Sequence, residues 1–322
     1  FTNDFGSKLA VCDTYFPLNR PTGPEDTKTL RYTYRTDGES GFLFLNNYQR
    51  GLELTEKNIE SLALPLENGN AEFKNIVLKD KEYFIYPFNM KIGNAVLKTA
   101  KAQPLCILNK TDYIFFSDTD PEYRIEGDLG DCKIITVSSS DALNAYKIRK
   151  DKDYLIVSQA NVVDTDKGVY LIGKDISEYK SYPSFEGSYP EISKEDIFTV
   201  YKKEIKTQTV QVDCKKTKSG YALHINYPQP LMTDDVILTL DYIGDKGCLY
   251  LENELIMDQY CNAKGLKFNL SSCGYPSELE FRITPLKKDE PVYIETEVEY
   301  DKNKEAAYLK NAAAFVQKKE II

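Results

Sequence analysis

Residues Thr29 to Arg50 read TLRYTYRTDGESGFLFLNNYQR, and the reading of this stretch decides the fold. In its first arm Leu30, Tyr32 and Tyr34 alternate with Arg31, Thr33 and Arg35, the two-residue period of a half-buried strand. Asp37-Gly38, followed by a second glycine at Gly41, is hairpin chemistry, because these residues accept positive φ at low cost. The returning arm is apolar on both faces from Phe42 to Leu45, so it is expected inside a sheet covered on both sides. At its end, Asn46, Asn47 and Gln49 supply amide donors and acceptors that suit either a sugar ligand or closure of the ladder itself.

The same kind of pattern continues outward. Apolar or alternating runs at 55–64, 71–78, 82–87, 95–100, 104–108 and 112–117 are separated by turn signals. Short strands at such intervals indicate an antiparallel all-β unit. Residues 1–127 are therefore expected to form an antiparallel β domain, entered through a turn-rich connector at 1–28. Residues 128–205 read as a connecting segment with strands at 133–137, 154–157 and 168–172, the last two expected to pair through a turn at 164–168. They hold one short helix, capped around Ser139-Ser140-Asp141, and a loop over 176–194.

From 206 to 300 a second strand pattern appears, with alternation over 207–212 and 221–227, then runs at 234–242, 248–251, 255–257, 279–283 and 291–294. Strand, Gly-Asp, strand, tight turn and strand resemble a galactose-binding-like jelly roll. The tail 301–322 is expected to be a short helix, because Asn303 to Lys319 is rich in good helix formers. Ala312, Phe315 and Val316 would then share a face with Tyr308 and Leu309. The expected architecture is mostly β: two antiparallel β-sandwich or jelly-roll-like domains, a mixed connecting segment and a short C-terminal helix.

The run Gly41-Phe42-Leu43-Phe44-Leu45-Asn46-Asn47-Tyr48-Gln49-Arg50 resembles a segment that follows the catalytic barrel in β-galactosidases of glycoside hydrolase family 35. Phe1 to Leu18 (FTNDFGSKLAVCDTYFPL) and Lys98 to Leu105 (KTAKAQPL) are similar to the same family's flanking stretches. The resemblance runs over most of 1–127 and returns around 234–296. It implies a post-barrel β region of a retaining β-galactosidase, whose two catalytic glutamates would lie on a barrel ahead of Phe1. The catalytic barrel is then the implied partner, with galactosides as further ligands and self-assembly left open. A chain that begins at Phe1 without Met fits a fragment or processed form.

The totals exclude several classes. A net charge of −9 and a pI near 5.0 argue against nucleic acid or an anionic membrane as the main partner. No apolar run approaches membrane-spanning length, so no membrane partner is expected. Seven scattered cysteines with no C-x-x-C pair argue against a disulfide framework or zinc ribbon. They suggest a reducing compartment, cytoplasmic rather than secreted.

Phosphate-loop and dinucleotide fingerprints are missing, and no cofactor is expected. The acidic stretch 118–131 fails as a calcium loop, because Tyr123 stands where a glycine is needed. His224 is the sole histidine, so multi-histidine metal sites are excluded and any Ser-His-Asp triad would have to pass through it. No alternating βα series could build a barrel, and no catalytic residue is assigned. Sugar binding remains. With no Trp but 24 Tyr and 15 Phe, the expected platforms are Tyr179, Tyr182, Phe185 and Tyr189 in a Ser/Gly/Pro-rich loop, beside the amides Asn46, Asn47 and Gln49. Tyrosines in such a loop can equally pack against a neighbouring domain.

Overall fold

The computed structural model describes residues 1–206, 208–231, 235–292, 294 and 296–322. It is mostly β, with several antiparallel sheets, as the strand spacing predicts. Two compact units emerge. One comprises Phe1–Val157 with Ser181–Phe185, the other Ser158–Lys180 with Glu186–Ile322.

The first unit opens with α1 (Thr2–Ala10), where an extended connector was expected. Phe1, Phe5 and Leu9 recur at helical spacing and pack on one apolar cluster, with Phe5 fully buried. Asp4 in the first turn complements the helix dipole and accepts from the Ile107 amide at 3.0 Å. After α1 come β1 (Asp13–Tyr15), β2 (Arg31–Thr36), β3 (Gly41–Asn46), β4 (Lys57–Leu66), β5 (Gly69–Leu78) and β6 (Tyr83–Ile92). Then follow β7 (Ala95–Ala100), β8 (Gln103–Leu108), β9 (Asp112–Phe116), β10 (Tyr123–Glu126), β11 (Lys133–Val137), the short helix α2 (Ser139–Leu143), β12 (Ala145–Arg149) and β13 (Asp153–Val157). Ser138, one residue ahead of the expected cap, closes α2 by accepting from the Asp141 amide.

The main sheet runs β1-β2-β3-β6-β7-β10. In the β2–β3 hairpin Arg31 pairs with Asn46 and Thr36 with Gly41. Asp37 ties the turn by accepting from the Glu39 and Ser40 amides, and Gly38 adopts φ +98°. A side chain at Gly41 would collide with the Arg35 carbonyl, so the second glycine is required by close approach. Strand β3 lies between β2 and β6, and both of its faces are covered, as its sequence predicts. Leu43 and Leu45 pack under the β4–β5 hairpin, whereas Phe42 and Phe44 face α1 and the β8-β9-β11 layer.

The second unit holds β14 (Asn161–Thr165), β15 (Gly168–Gly173), β16 (Glu178–Tyr182, whose last two residues belong to the first unit), β17 (Glu191–Glu195), β18 (Phe198–Lys202), β19 (Thr209–Lys216), β20 (Tyr221–Asn226) and β21 (Asp235–Ile243). It continues through β22 (Lys246–Leu251), β23 (Glu254–Tyr260), β24 (Leu266–Asn269), β25 (Glu278–Thr284), β26 (Leu286–Lys287), β27 (Glu305–Ala306) and β28 (Tyr308–Ile321). Strand β19 pairs with β28 at its start and with β20 further on, so it turns a corner between two sheets. Their inner faces, Leu223, Ile225, Leu249 and Phe281 against Val236, Leu238, Leu240 and Leu266, form one buried core. The starts of two expected strands, Thr207 and Asp234, and Tyr293 of the expected strand 291–294, lie outside the described residues.

Two expectations are corrected, one of pairing and one of secondary structure. The run 168–172 pairs with 161–165 and with β28 rather than with 154–157, which pairs with β12. The tail is no helix: β28 is a strand of 14 residues, laddered to β21 from Asp235↔Gln317 to Ile243↔Tyr308. Alanine's helix propensity is a weak prior. Here it yields to backbone pairing along β21 and to burial of Val316 and Lys318 at strand spacing.

A candidate carbohydrate-binding cleft

A cleft of about 540 Å³ opens in the first unit beside the end of the β2–β3 hairpin. The floor is the face of Arg31, Thr33, Phe44 and Asn46; the rim is the loop from Phe16 to Pro24. Its walls carry Arg20 and Arg31 and no Asp or Glu. Two residues hold the rim in place. Asp26 turns its carboxylate into the loop and accepts from the amides of Thr22, Lys28 and Thr29 at 3.3, 3.1 and 3.0 Å. These bonds, those from Thr29 above all, hold its carboxyl well below the usual range. Arg31 Nη2 reaches the same loop, donating to the carbonyls of Pro24 at 2.9 Å and Asp26 at 3.0 Å. Behind the loop the half-hidden Lys57 ammonium donates to the Thr27 and Thr55 carbonyls, and burial, then the Arg31 charge, pulls its pKa down.

The sequence-predicted amides divide here. Gln49 lines the cleft, accepting from Arg31 Nη1 at 2.6 Å and keeping its own Nε2 free to donate. Asn46 also lines it, though its side chain is already engaged in a local turn with the Tyr48 amide and carbonyl, both at 3.0 Å. Asn47 does not reach it. Only 1% exposed, its amide donates to the carbonyls of Thr55, Leu78 and Lys79, which makes it a clamp between loops.

The aromatic set is corrected more sharply. Tyr179 and Tyr189, expected to be exposed, are 1% and 3% exposed in the core of the second unit. There Tyr179 stacks on Tyr201 with centroids 4.8 Å apart, and the Tyr189 hydroxyl donates to the Ile176 carbonyl. In the first unit Tyr182 donates to Asp112 at 2.8 Å, and burial, reinforced by that bond, pushes its hydroxyl up to about 12. Phe185 sets its edge against Tyr154 at 5.0 Å. Tyr179 and Tyr189, so buried, offer no platform to a sugar, while Tyr182 and Phe185 are half-buried.

On the cleft rim the ring that faces solvent is Phe16, 54% exposed. The Arg20 guanidinium sits 4.7 Å from its ring centroid, and Arg20 Nε donates to the Pro17 carbonyl. Sequence reasoning missed Phe16, Arg20 and Arg31. The hairpin register held the signal for Arg31, since pairing Arg31 with Asn46 places both on the face of Thr33 and Phe44.

The only histidine lies in the second unit, exposed, with His224 Nδ1 2.6 Å from Glu278 Oε1. Neighbouring Glu280 accepts from Arg282 and Ser219, which hold its carboxyl down at about 2. A glycosidase acid needs the reverse, a carboxyl kept protonated near neutrality. Among the described residues no group of three or more His, Cys, Asp or Glu is placed to hold a metal ion. All seven cysteines are free thiols. No family model and no curated protein matches the chain.

Proposed function

We propose that this chain is the non-catalytic β region of a β-galactosidase-type glycoside hydrolase, serving to support a catalytic barrel. The reading rests on the stretch Gly41 to Arg50, which resembles the post-barrel segment of family 35. One observation carries its non-catalytic half. Gly41 to Leu45 are spent on a doubly covered strand and Asn47 on a buried clamp, and the cleft lined by Asn46 and Gln49 has no carboxylate on its walls. A retaining mechanism needs two carboxyls about 5 Å apart, one of them a proton donor.

The purified chain should therefore release no nitrophenol from nitrophenyl β-galactoside. Adding it to a separately produced family 35 barrel should stabilise that barrel against heat. Turnover by the chain alone, lost on changing one of its own carboxylates, overturns the proposal.

A further inference from the structure

We propose that the cleft of the first unit binds a hexuronate, a pyranoside whose carboxylate is taken by Arg20 while its ring stacks on Phe16. This goes beyond the hydrolase reading and does not depend on it.

The argument starts from charge. In a chain of net charge −9, this cleft presents two guanidiniums; of its acidic neighbours, Asp26 is turned into the loop's own amides and Glu25 lies beside Gly23 without lining the walls. A concave site lined by one sign of charge concentrates ligands of the other. The two arginines differ in what they have left to give. Arg31 spends both terminal nitrogens on Gln49, Pro24 and Asp26, and keeps one buried Nε–H with no partner among the described residues. Arg20 spends only Nε, on the Pro17 carbonyl, so its terminal fork is open. An open guanidinium fork matches a carboxylate in two parallel hydrogen bonds.

Shape supplies the rest. Phe16 presents an exposed ring on the cleft rim with the Arg20 guanidinium 4.7 Å from its centroid, so a pyranose packed against that rim meets an apolar surface with the open fork beside it. Below it, Gln49 Nε2 is a donor without an acceptor, placed for a ring hydroxyl. The volume of about 540 Å³ falls within the range of small-ligand sites.

Calorimetric titration of the full chain with galacturonate, digalacturonate, galactose, lactose and a short polyglutamate peptide tests this. Saturable uronate binding is expected, weakening as salt rises, with the neutral sugars weaker by about tenfold or more. Arg20→Gln should erase the preference for uronate over galactose, and Phe16→Ala should weaken uronate binding by about tenfold. Both side chains are exposed, so unchanged melting curves confirm that each variant is folded. Silence toward both uronates, neutral sugars binding as tightly, or the peptide competing as well as digalacturonate each overturns the inference.

Discussion

Asn109 and Asp153, 44 residues apart, hold each other through three hydrogen bonds. The Asn109 amide donates to Asp153 Oδ2 at 2.9 Å, the Asp153 amide donates to Asn109 Oδ1 at 2.8 Å, and Asn109 Nδ2 reaches the Asp153 carbonyl at 3.2 Å. The turn after β8 is thereby joined to β13, and the positive φ of Asn109, +52°, is held in place. Burial alone would raise the Asp153 carboxyl, but the Asn109 amide, Arg149 and the Lys147 charge outweigh it and leave the pKa lowered. The associated stability is complete above the unfolded carboxyl value of about 3.9 and is lost as pH falls through the lower, folded value. Asp153→Asn should flatten the acid side of a plot of urea midpoint against pH, below about pH 4. Asp153→Ala should cost about 2 kcal/mol at neutral pH. An acid limb identical in wild type and Asp153→Asn would remove this carboxyl from the account.

Asn47 answers to a different readout. Its amide satisfies carbonyls in two loops, so Asn47→Ala strands buried acceptors and should destabilise by about 1–3 kcal/mol in urea titration. Ligand affinity of the folded variant should not move, because the side chain lies away from the cleft walls. A stable variant with altered sugar binding would reverse that assignment.

Tyr179 belongs to the core of the second unit. Replacing it with Ala empties a space against Tyr201 and Tyr189, and a loss of about 3–5 kcal/mol is expected. Thermal unfolding followed by near-ultraviolet circular dichroism, where stacked tyrosines contribute, reads it directly. A shift of less than about 1 kcal/mol would mean that this stack is not a packed core.

His224 titrates alone, being the only histidine, so one imidazole resonance in proton NMR reports it. The hydrogen bond to Glu278 raises its pKa above the ordinary value. A raised value means that the imidazolium form is favoured by folding; that contribution is full below the unfolded pKa and vanishes as pH climbs through the folded one. Glu278→Gln should move the resonance midpoint down, toward the ordinary imidazole value. An unchanged midpoint in that variant would assign the shift to Asp213 and Asn226 instead.

What was legible in the sequence follows the physics of each signal. The β2–β3 hairpin was readable because its alternation, its turn residues and its two-sided apolar arm agree on one answer. The N-terminal helix was hidden by the proline and glycine residues that follow it, although Phe1, Phe5 and Leu9 carried its period. The tail misled for the opposite reason: local composition favours helix, while the ladder offered by β21 is visible only in the assembled sheet. In the cleft, Asn46 and Gln49 were found from the end of a strand. Phe16 and Arg20 were not, because a loop that contains Pro17, Pro21 and Pro24 has no periodicity to say which side chains face inward.

The place of β28 has a consequence for how the protein is made. Its partners β15, β19 and β21 all leave the ribosome well before it does, and each waits with unpaired backbone groups until residues 308–321 arrive. Such delayed, non-local pairing is slow and open to wrong partners. A stalled or truncated nascent chain would thus display three unmatched strand edges, and early chaperone engagement would be needed most while β28 is still inside the exit tunnel.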